Sequence, residues 1–296
     1  MPDTPELLVI KIGGSTLGSE DTTLEDLVVL QQEGVPVVVV HGGGPAVTAW
    51  MDRQGLEARF VRGLRVTDDA SLEIVVAVLA GLVNKQLVAE VNARGGRAAG
   101  ICGADGPTVL AEVTDPDYGR VGQVREVRTR LLKTMLAAGI MPFLSPVGLE
   151  MADLTPDLFP ARDGEPPSTN GASGTPFPSG RGAGGVGQTA APSPLLNINA
   201  DTVAGEVAAA LGARRLVFLT DVPGVKGLAG DVVAALSRDE CEALIESGAI
   251  GGGMIPKVEA CLRAAETGAE ALIVDGREPH ALQAALQGTA AGTRVG

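Results

Sequence analysis

At 296 residues the chain can form one large domain or two lobes around a substantial core. Apolar residues make up 45% of it but aromatics only 2%, so Ala, Val, Leu and Ile must build that core. A net charge of −13 and a pI near 4.6 argue against nucleic acid and anionic membrane as partners, because both are bound through basic surface.

The opening "MPDTPELL" has neither a basic region nor a long apolar run, so no secretory signal is read. A membrane span needs about 18 apolar residues, and no such run is expected here; the prediction is a cytoplasmic protein. Leu7–Ile12 is apolar and β-branched, a strand that carries Lys11 and ends on Gly13-Gly14. "TTLE" at Thr22–Glu25 has capping-box form and predicts a helix to Gln32, stopped by Gly34. "VPVVVV" at Val35–Val40 reads as a buried strand; "HGGGP" follows, with Pro45 suited to a helix start and Gly55 to its end. Asp68 or Asp69 caps a long amphipathic stretch to about Asn92, closed by Gly95-Gly96. A strand at Ala98–Cys102, a helix at Arg130–Ala138 and a strand at Ile140–Ser145 complete this half.

The alternation resumes with a helix at Asp201–Leu211 and a strand at Leu216–Thr220. Helices near Asp239–Ser247 and Ile255–Glu266, a strand at Ala271–Val274 and a helix at Pro279–Leu286 follow. Near-continuous apolar strands alternating with helices predict an α/β fold, a three-layer αβα sandwich with a mainly parallel central sheet. Between the halves, 160–194 is rich in Gly, Pro and Ser and is expected to be a disordered insert. Its Gly182–Gly187 matches GxGxxG, but no strand precedes it and no helix follows, so the match is by chance. The organisation read is therefore 1–159, the insert 160–194, and 195–296, in one continuous fold.

Cys102, Cys241 and Cys261 fit no zinc or disulfide spacing and read as buried small residues in a reducing compartment. With two histidines, His41 and His280, no resident metal site is predicted, and His41 reads as a satisfied residue at a strand end.

Chemistry is carried by four stretches. "KIGGS" and "HGGGP" put glycines at the carboxyl ends of consecutive strands, where open α/β sheets bind ligands and where helix-opening amides favour anions. In "NINADTVA", Asn197, Asn199 and Asp201 alternate just before a helix. Helix capping by Asp201 is the plain reading, but two further polar residues on the same side of an extended stretch go beyond capping. In "GGGMIPKV", Lys257 sits near a helix N-terminus, an end that prefers anions; an anion held by both would remove the misfit. There is no P-loop, no GxSxG elbow and no His-Arg-Asp kinase loop.

"KIGGS", "HGGGP", "GLRVTD", "NKQLV", "NINADTVA", "LTDVPGV" and "GGMIPKV", in this order, resemble the amino-acid kinase family. Within it they are most similar to the branch that phosphorylates the γ-carboxylate of N-acetyl-L-glutamate in arginine biosynthesis. The resemblance implies ATP with Mg²⁺ as co-substrate, no tightly bound cofactor, and a homodimer. By matching motif, it implies that Lys11 and Lys257 stabilise the transferring phosphoryl group and that Asp201 orients both. Gly13, Gly14 and Gly43 would offer amides to that group, and Gly43-Gly44, Arg65 and Asn197 would meet the acyl substrate, Arg65 pairing with its α-carboxylate. Asp221, Val222, Pro223, Gly224, Val225 and Lys226, with Ala249, Ile250 and Gly251, match the nucleotide contacts. Chemistry agrees: a side-chain carboxylate of pKa ~4.3 is already ionised at neutral pH, so no general base is needed.

Two other readings share the pattern, a carrier-protein-linked α-aminoadipate kinase of lysine biosynthesis and a catalytically silent amino-acid or nucleotide sensor. "HGGGP" and "GLRVTD" favour free acetylglutamate, and the presence of Lys11, Lys257 and Asp201 counts against silence. In the family, arginine inhibition goes with an extra N-terminal helix that joins dimers into a hexamer. Only "MPDTPE" precedes the first strand, so insensitivity to L-arginine is expected.

Overall fold

The computed structural model describes residues 6–13, 22–61, 63–151 and 193–296. Most of the predicted insert, its GxGxxG match and Gly14 lie outside the described residues. In chain order the first half holds β1 (Leu8–Ile12), α1 (Thr23–Gln32), β2 (Val37–His41), α2 (Gly44–Arg53), β3 (Phe60–Val61), β4 (Leu64–Arg65) and α3 (Asp69–Val76). A π-helical segment (Ala77–Val83) joins α3 to α4 (Asn84–Ala93), and β5 (Ala98–Cys102), β6 (Val109–Val113), β7 (Val121–Val127), α5 (Arg130–Ala137), β8 (Met141–Ser145) and β9 (Val147–Glu150) follow. The second half holds β10 (Leu195–Ile198), α6 (Ala200–Leu211), β11 (Arg215–Thr220), β12 (Ala235–Leu236) and α7 (Arg238–Glu246). It ends with α8 (Met254–Ala265), β13 (Glu270–Asp275), α9 (Ala281–Gln287) and β14 (Gly292–Val295).

Eight strands form one sheet in the order β12-β14-β13-β11-β1-β2-β8-β5. Every neighbouring pair is parallel except β13 with β14. In β1 successive side chains enter opposite layers: Leu8, Ile10 and Ile12 pack with α1, α2 and α9, while Val9 packs with α6 and α8. Both faces of the sheet are therefore covered, which is why its central strands are apolar without alternation. The three-layer α/β sandwich is the observed fold.

Four further strands, β10-β7-β6-β9, close on themselves as a small barrel that the sequence reading did not anticipate. Its β9 and β10 are antiparallel neighbours, Leu149 opposite Leu195, and β10 runs straight into α6.

Three local expectations differ from the structure. Thr22 does not cap α1 with its side chain; its Oγ1 accepts from the His280 N–H at 2.6 Å, tying α1 to the start of α9. The cap of α6 is Asn199 rather than Asp201: its Oδ1 accepts from the N–H groups of Asp201 and Thr202 at 2.7 and 3.2 Å, which frees the Asp201 side chain. The helical stretch Asp69–Ala93 has the length and composition of a membrane span, contrary to the expectation that no such run exists. Its buried Leu72, Val75, Leu79, Val83, Leu87 and Val91 recur every three or four residues, the signature of a helix with one face against a protein core. Cys241 and Cys261 are buried as expected, whereas Cys102 is half-buried; all three are free thiols.

Candidate active site

Because β1 lies between β2 and β11, the turns after all three strands meet at one rim of the sheet. Lys11 reaches that rim from β1, in register with Val40 and Phe218. It is 6% exposed, and a lysine so buried is costly without a partner. Asp201, in the first turn of α6, places Oδ1 2.7 Å from the Lys11 Nζ, and its Oδ2 accepts from the Lys257 Nζ at 2.9 Å. One carboxylate thus spans two ammonium groups. Burial alone would raise the Asp201 pKa, but the charges of Lys11 and Lys257 outweigh it and hold the carboxyl below its ordinary range.

Packing explains how α6 and α8 come close enough. A Cβ on Gly205 would stand 2.8 Å from the Cα of Ala260, so only glycine permits this crossing. Asp201 lies one turn before Gly205, and Lys257 one turn before Ala260, so the close crossing brings carboxylate and ammonium together. Lys257 therefore finds at the head of α8 a carboxylate to offset the helix end. The site still carries two cations against one anion, beside two helix N-termini.

Gly43, Gly44, Arg65, Asn197 and Asp201 line, with Lys11, a cavity of about 230 Å³. Gly43 has φ 151°, and a Cβ there would stand 2.7 Å from Leu79 Cδ2 in the π segment. Arg65 is 8% exposed, and its guanidinium donates to Gly44 O (3.1 Å) and Thr48 Oγ1 (2.7 Å) and lies 4.6 Å from the Phe60 ring centroid. Among the described residues it makes no ion pair; burial lowers its pKa, opposed by the charge of Asp52. Asn197 donates to Thr67 Oγ1 at 3.0 Å, and Thr67 Oγ1 donates to Arg65 O at 2.8 Å, which joins the two cavity residues. Asn199, the cap of α6, lines the same cavity, so the alternating polar residues do converge.

Gly13 is at the rim, but its own N–H continues the sheet by donating to Leu219 O at 3.0 Å. The loop Asp221–Lys226 leaves β11 beside β1, and Ala249–Gly251 leads into α8. Neither run lines the cavity. Asp221, Pro223, Lys226, Ala249 and Gly251 are exposed, while the side chains of Val225 and Ile250 are in the core. The N–H of Val225 donates to Thr293 Oγ1 at 2.8 Å and that of Ile250 to Leu244 O at 3.0 Å, so these two residues anchor their loops. Among the described residues no group of three or more His, Cys, Asp or Glu is placed to hold a metal ion.

Sequence reasoning passed over Thr48, Phe60 and Thr67, which position Arg65 and Asn197. It read His41 as a satisfied strand-end residue, and both ring nitrogens do have partners. The one available signal was their place in or beside "HGGGP" and "GLRVTD".

Two lysines on one buried aspartate, glycine turns and an arginine with no ion pair among the described residues, on the carboxyl rim of a parallel sheet, define an α/β phosphotransferase. The model of the amino acid kinase family matches residues 6–157 and 177–275, and the chain belongs to that family. It is 43% identical over 289 residues to an acetylglutamate kinase of Dehalococcoides mccartyi, covering 98% of this chain and 94% of that one. An acetylglutamate kinase of Parvibaculum lavamentivorans is 40% identical over 292 residues, covering 93% and 83%. Among solved structures, smu.665 of Streptococcus mutans superposes with a TM-score of 0.73 at 26% identity over 98% of both chains.

Proposed function

We propose that the protein transfers the γ-phosphoryl group of ATP to the γ-carboxylate of N-acetyl-L-glutamate, giving N-acetyl-L-glutamyl 5-phosphate in arginine biosynthesis. The observation that carries this reading is the Lys11–Asp201–Lys257 bridge in or beside a cavity that also holds Arg65, which has no carboxylate partner among the described residues. Relatives named acetylglutamate kinase at 40–43% identity supply the particular acceptor.

The acceptor arrives ionised, and one of its oxygens attacks the γ-phosphorus in line with the bond to the β-bridging oxygen. The new O–P bond forms as the old one breaks, and the electron pair leaves on ADP. No proton moves, so catalysis consists of holding two anions together and stabilising the charge between them. Lys11 and Lys257 take that charge, with Asp201 fixing both. The Gly43 amide meets the phosphoryl group; the Gly13 N–H is held by Leu219 O, which leaves the contribution of that turn to Gly14, outside the described residues. Arg65 pairs with the α-carboxylate, and Gly44 and Asn197 complete the acyl site. The loops Asp221–Lys226 and Ala249–Gly251 receive the nucleotide, whose phosphates carry Mg²⁺ as part of the co-substrate. The acyl half is then 1–159 and the nucleotide half 195–296, separated by the insert 160–194. The protein acts in the cytoplasm as a homodimer, which light scattering tests. ADP release with N-acetyl-L-glutamate, with L-glutamate and with a carrier-linked α-aminoadipate tests the reaction. Turnover of the carrier-linked substrate alone would transfer it to lysine biosynthesis, and no turnover would indicate a sensor.

A further inference from the structure

His41 closes β2 one residue before the glycine turn; it is fully buried and does not line the cavity. Its Nδ1 is 2.8 Å from Gly42 O and its Nε2 is 3.0 Å from the Asn84 Nδ2. Asn84 is also fully buried, at the junction of the π segment and α4, and its Nδ2 donates to Phe143 O at 2.8 Å. Its Oδ1 accepts from the Lys85 Nζ at 2.9 Å, and that ammonium also donates to Gly100 O at 2.8 Å. Gly100 supplies the room, since a Cβ there would overlap the Asn84 Oδ1.

These contacts admit one assignment of hydrogens. A carbonyl only accepts, so Phe143 O and the Lys85 ammonium fix which end of the Asn84 amide is nitrogen. Its second N–H must then point at Nε2, which is therefore bare, and Nδ1 carries the proton and donates to Gly42 O. Protonation of Nε2 would set N–H against N–H. Burial pushes the imidazole pKa down to about 4, and the charges of Lys11 and Lys85 act in the same direction.

Gly42 C=O and Gly43 N–H belong to one peptide unit, and the described chain contains no cis peptide. In a trans unit the two bonds point opposite ways. With the carbonyl turned inward to His41, the Gly43 N–H is turned the other way. Leu79 of the π segment packs where a Gly43 side chain would be and holds the turn from behind.

We propose that His41 and Asn84 are positioning residues: through the Gly42 carbonyl they aim the Gly43 N–H at the anion bound in the cavity. This rests on the function proposed above. It explains a polar chain that the reaction itself does not use, running from the exposed Lys85 through the buried Asn84 and His41 to the glycine turn.

Kinetics of three full-chain variants test it. His41→Leu, close to the imidazole in volume, should lower kcat about 10- to 100-fold while KM for ATP stays within about twofold. His41→Asn fills the space less well but returns an N–H near the place of Nδ1, so it should recover most of that loss; mere space filling would give the opposite order. Asn84→Asp offers Nε2 an acceptor, so the neutral ring would turn to the Nε2–H tautomer and release Gly42, and only the imidazolium would hold both partners. Its kcat should rise as pH falls from about 8 to 6, a limb that wild type lacks. Nitrogen NMR, with two imidazoles to assign, should show a protonated Nδ1 and a bare Nε2 for His41. A folded His41→Leu with wild-type kcat, or an Nε2–H tautomer, would overturn the positioning role and leave the proposed function standing. Wild-type protein inert toward N-acetyl-L-glutamate would sink the function instead, and the tautomer would still decide the positioning claim.

Discussion

Replacing Asp201 by Asn keeps the size of the side chain and removes the one charge that Lys11 and Lys257 share. At 2.7 and 2.9 Å each contact is worth about 6 kcal/mol of gross attraction at an effective dielectric constant of about 20. Most of that offsets desolvation, and breaking such a pair in practice costs about 3–5 kcal/mol, because the cations left behind are unpaired. The Lys257 side chain is 17% exposed and can turn to water, while that of Lys11 is 8% exposed and cannot, so the lower end applies. About 3 kcal/mol corresponds to a Tm lower by roughly 6–12 °C in the ligand-free protein. Lys257→Met should lose less, since Asp201 keeps Lys11. In the proposed reaction ATP brings negative charge to both lysines, so Asp201→Asn should gain more Tm from ATP than wild type does, while kcat falls about 100- to 1000-fold. The low pKa of Asp201 sets the acid limb: its contribution is present above the ordinary value of 3.8 and is lost as pH falls through the lower folded value. That limb should be shallower in Asp201→Asn. Differential scanning fluorimetry with and without ATP, beside steady-state kinetics, measures all of this. A variant with wild-type Tm and kcat would refute the shared-counterion argument.

Arg65→Lys loses the paired donors that match a carboxylate, so KM for N-acetyl-L-glutamate should rise about 10- to 100-fold with KM for ATP nearly unchanged; equal loss for both substrates would make Arg65 structural. Residues 150 and 194 are joined by the Glu150 N–H to Pro194 O at 2.7 Å, where β9 and β10 pair. Replacing 161–191 by a turn of about five residues should therefore leave kcat intact and add about 1 kcal/mol of stability from loop closure, read by urea unfolding; a folded but inactive deletion would give the insert a role in turnover. His280 Nδ1 is 2.7 Å from Asp26 Oδ1, and this hydrogen bond and the Asp26 charge raise the imidazole pKa above 6.5. Its stabilisation is complete below that value and is lost as pH rises through the raised one. Tm should decline as pH rises above 6.5 and through the raised value in wild type and stay flatter in His280→Gln; equal slopes would show that His280 contributes nothing to the pH dependence.

Much of the candidate site was legible because its signals are local. Lys11 and the glycines after β1 and β2 announce themselves by strand period and turn chemistry, and two parallel neighbours put their carboxyl ends on one rim. The Asn197-Asn199-Asp201 alternation was also visible, but the division of labour was not. Asn199 caps α6, and this frees Asp201 for the lysines. The barrel β10-β7-β6-β9 escaped notice because its strands are only partly buried and carry polar residues such as Gln123, Arg125 and Glu112, so no long apolar run marks them.

By itself the sequence determined what each segment can be: which runs bury both faces, where the chain must turn, and which positions carry charge into an apolar setting. Tertiary structure alone decided which charges meet. Lys11, Asp201 and Lys257 are far apart in the chain, and their contact depends on the crossing of α6 over α8 at Gly205 and on the place of β1 between β2 and β11. The His41–Asn84 contact likewise depends on a π segment and on the space above Gly100. Periodicity and turn preference act over a few residues and can be read in one dimension. Pairing between remote side chains is set by helix crossings and strand order, and these emerge only when the whole core packs at once.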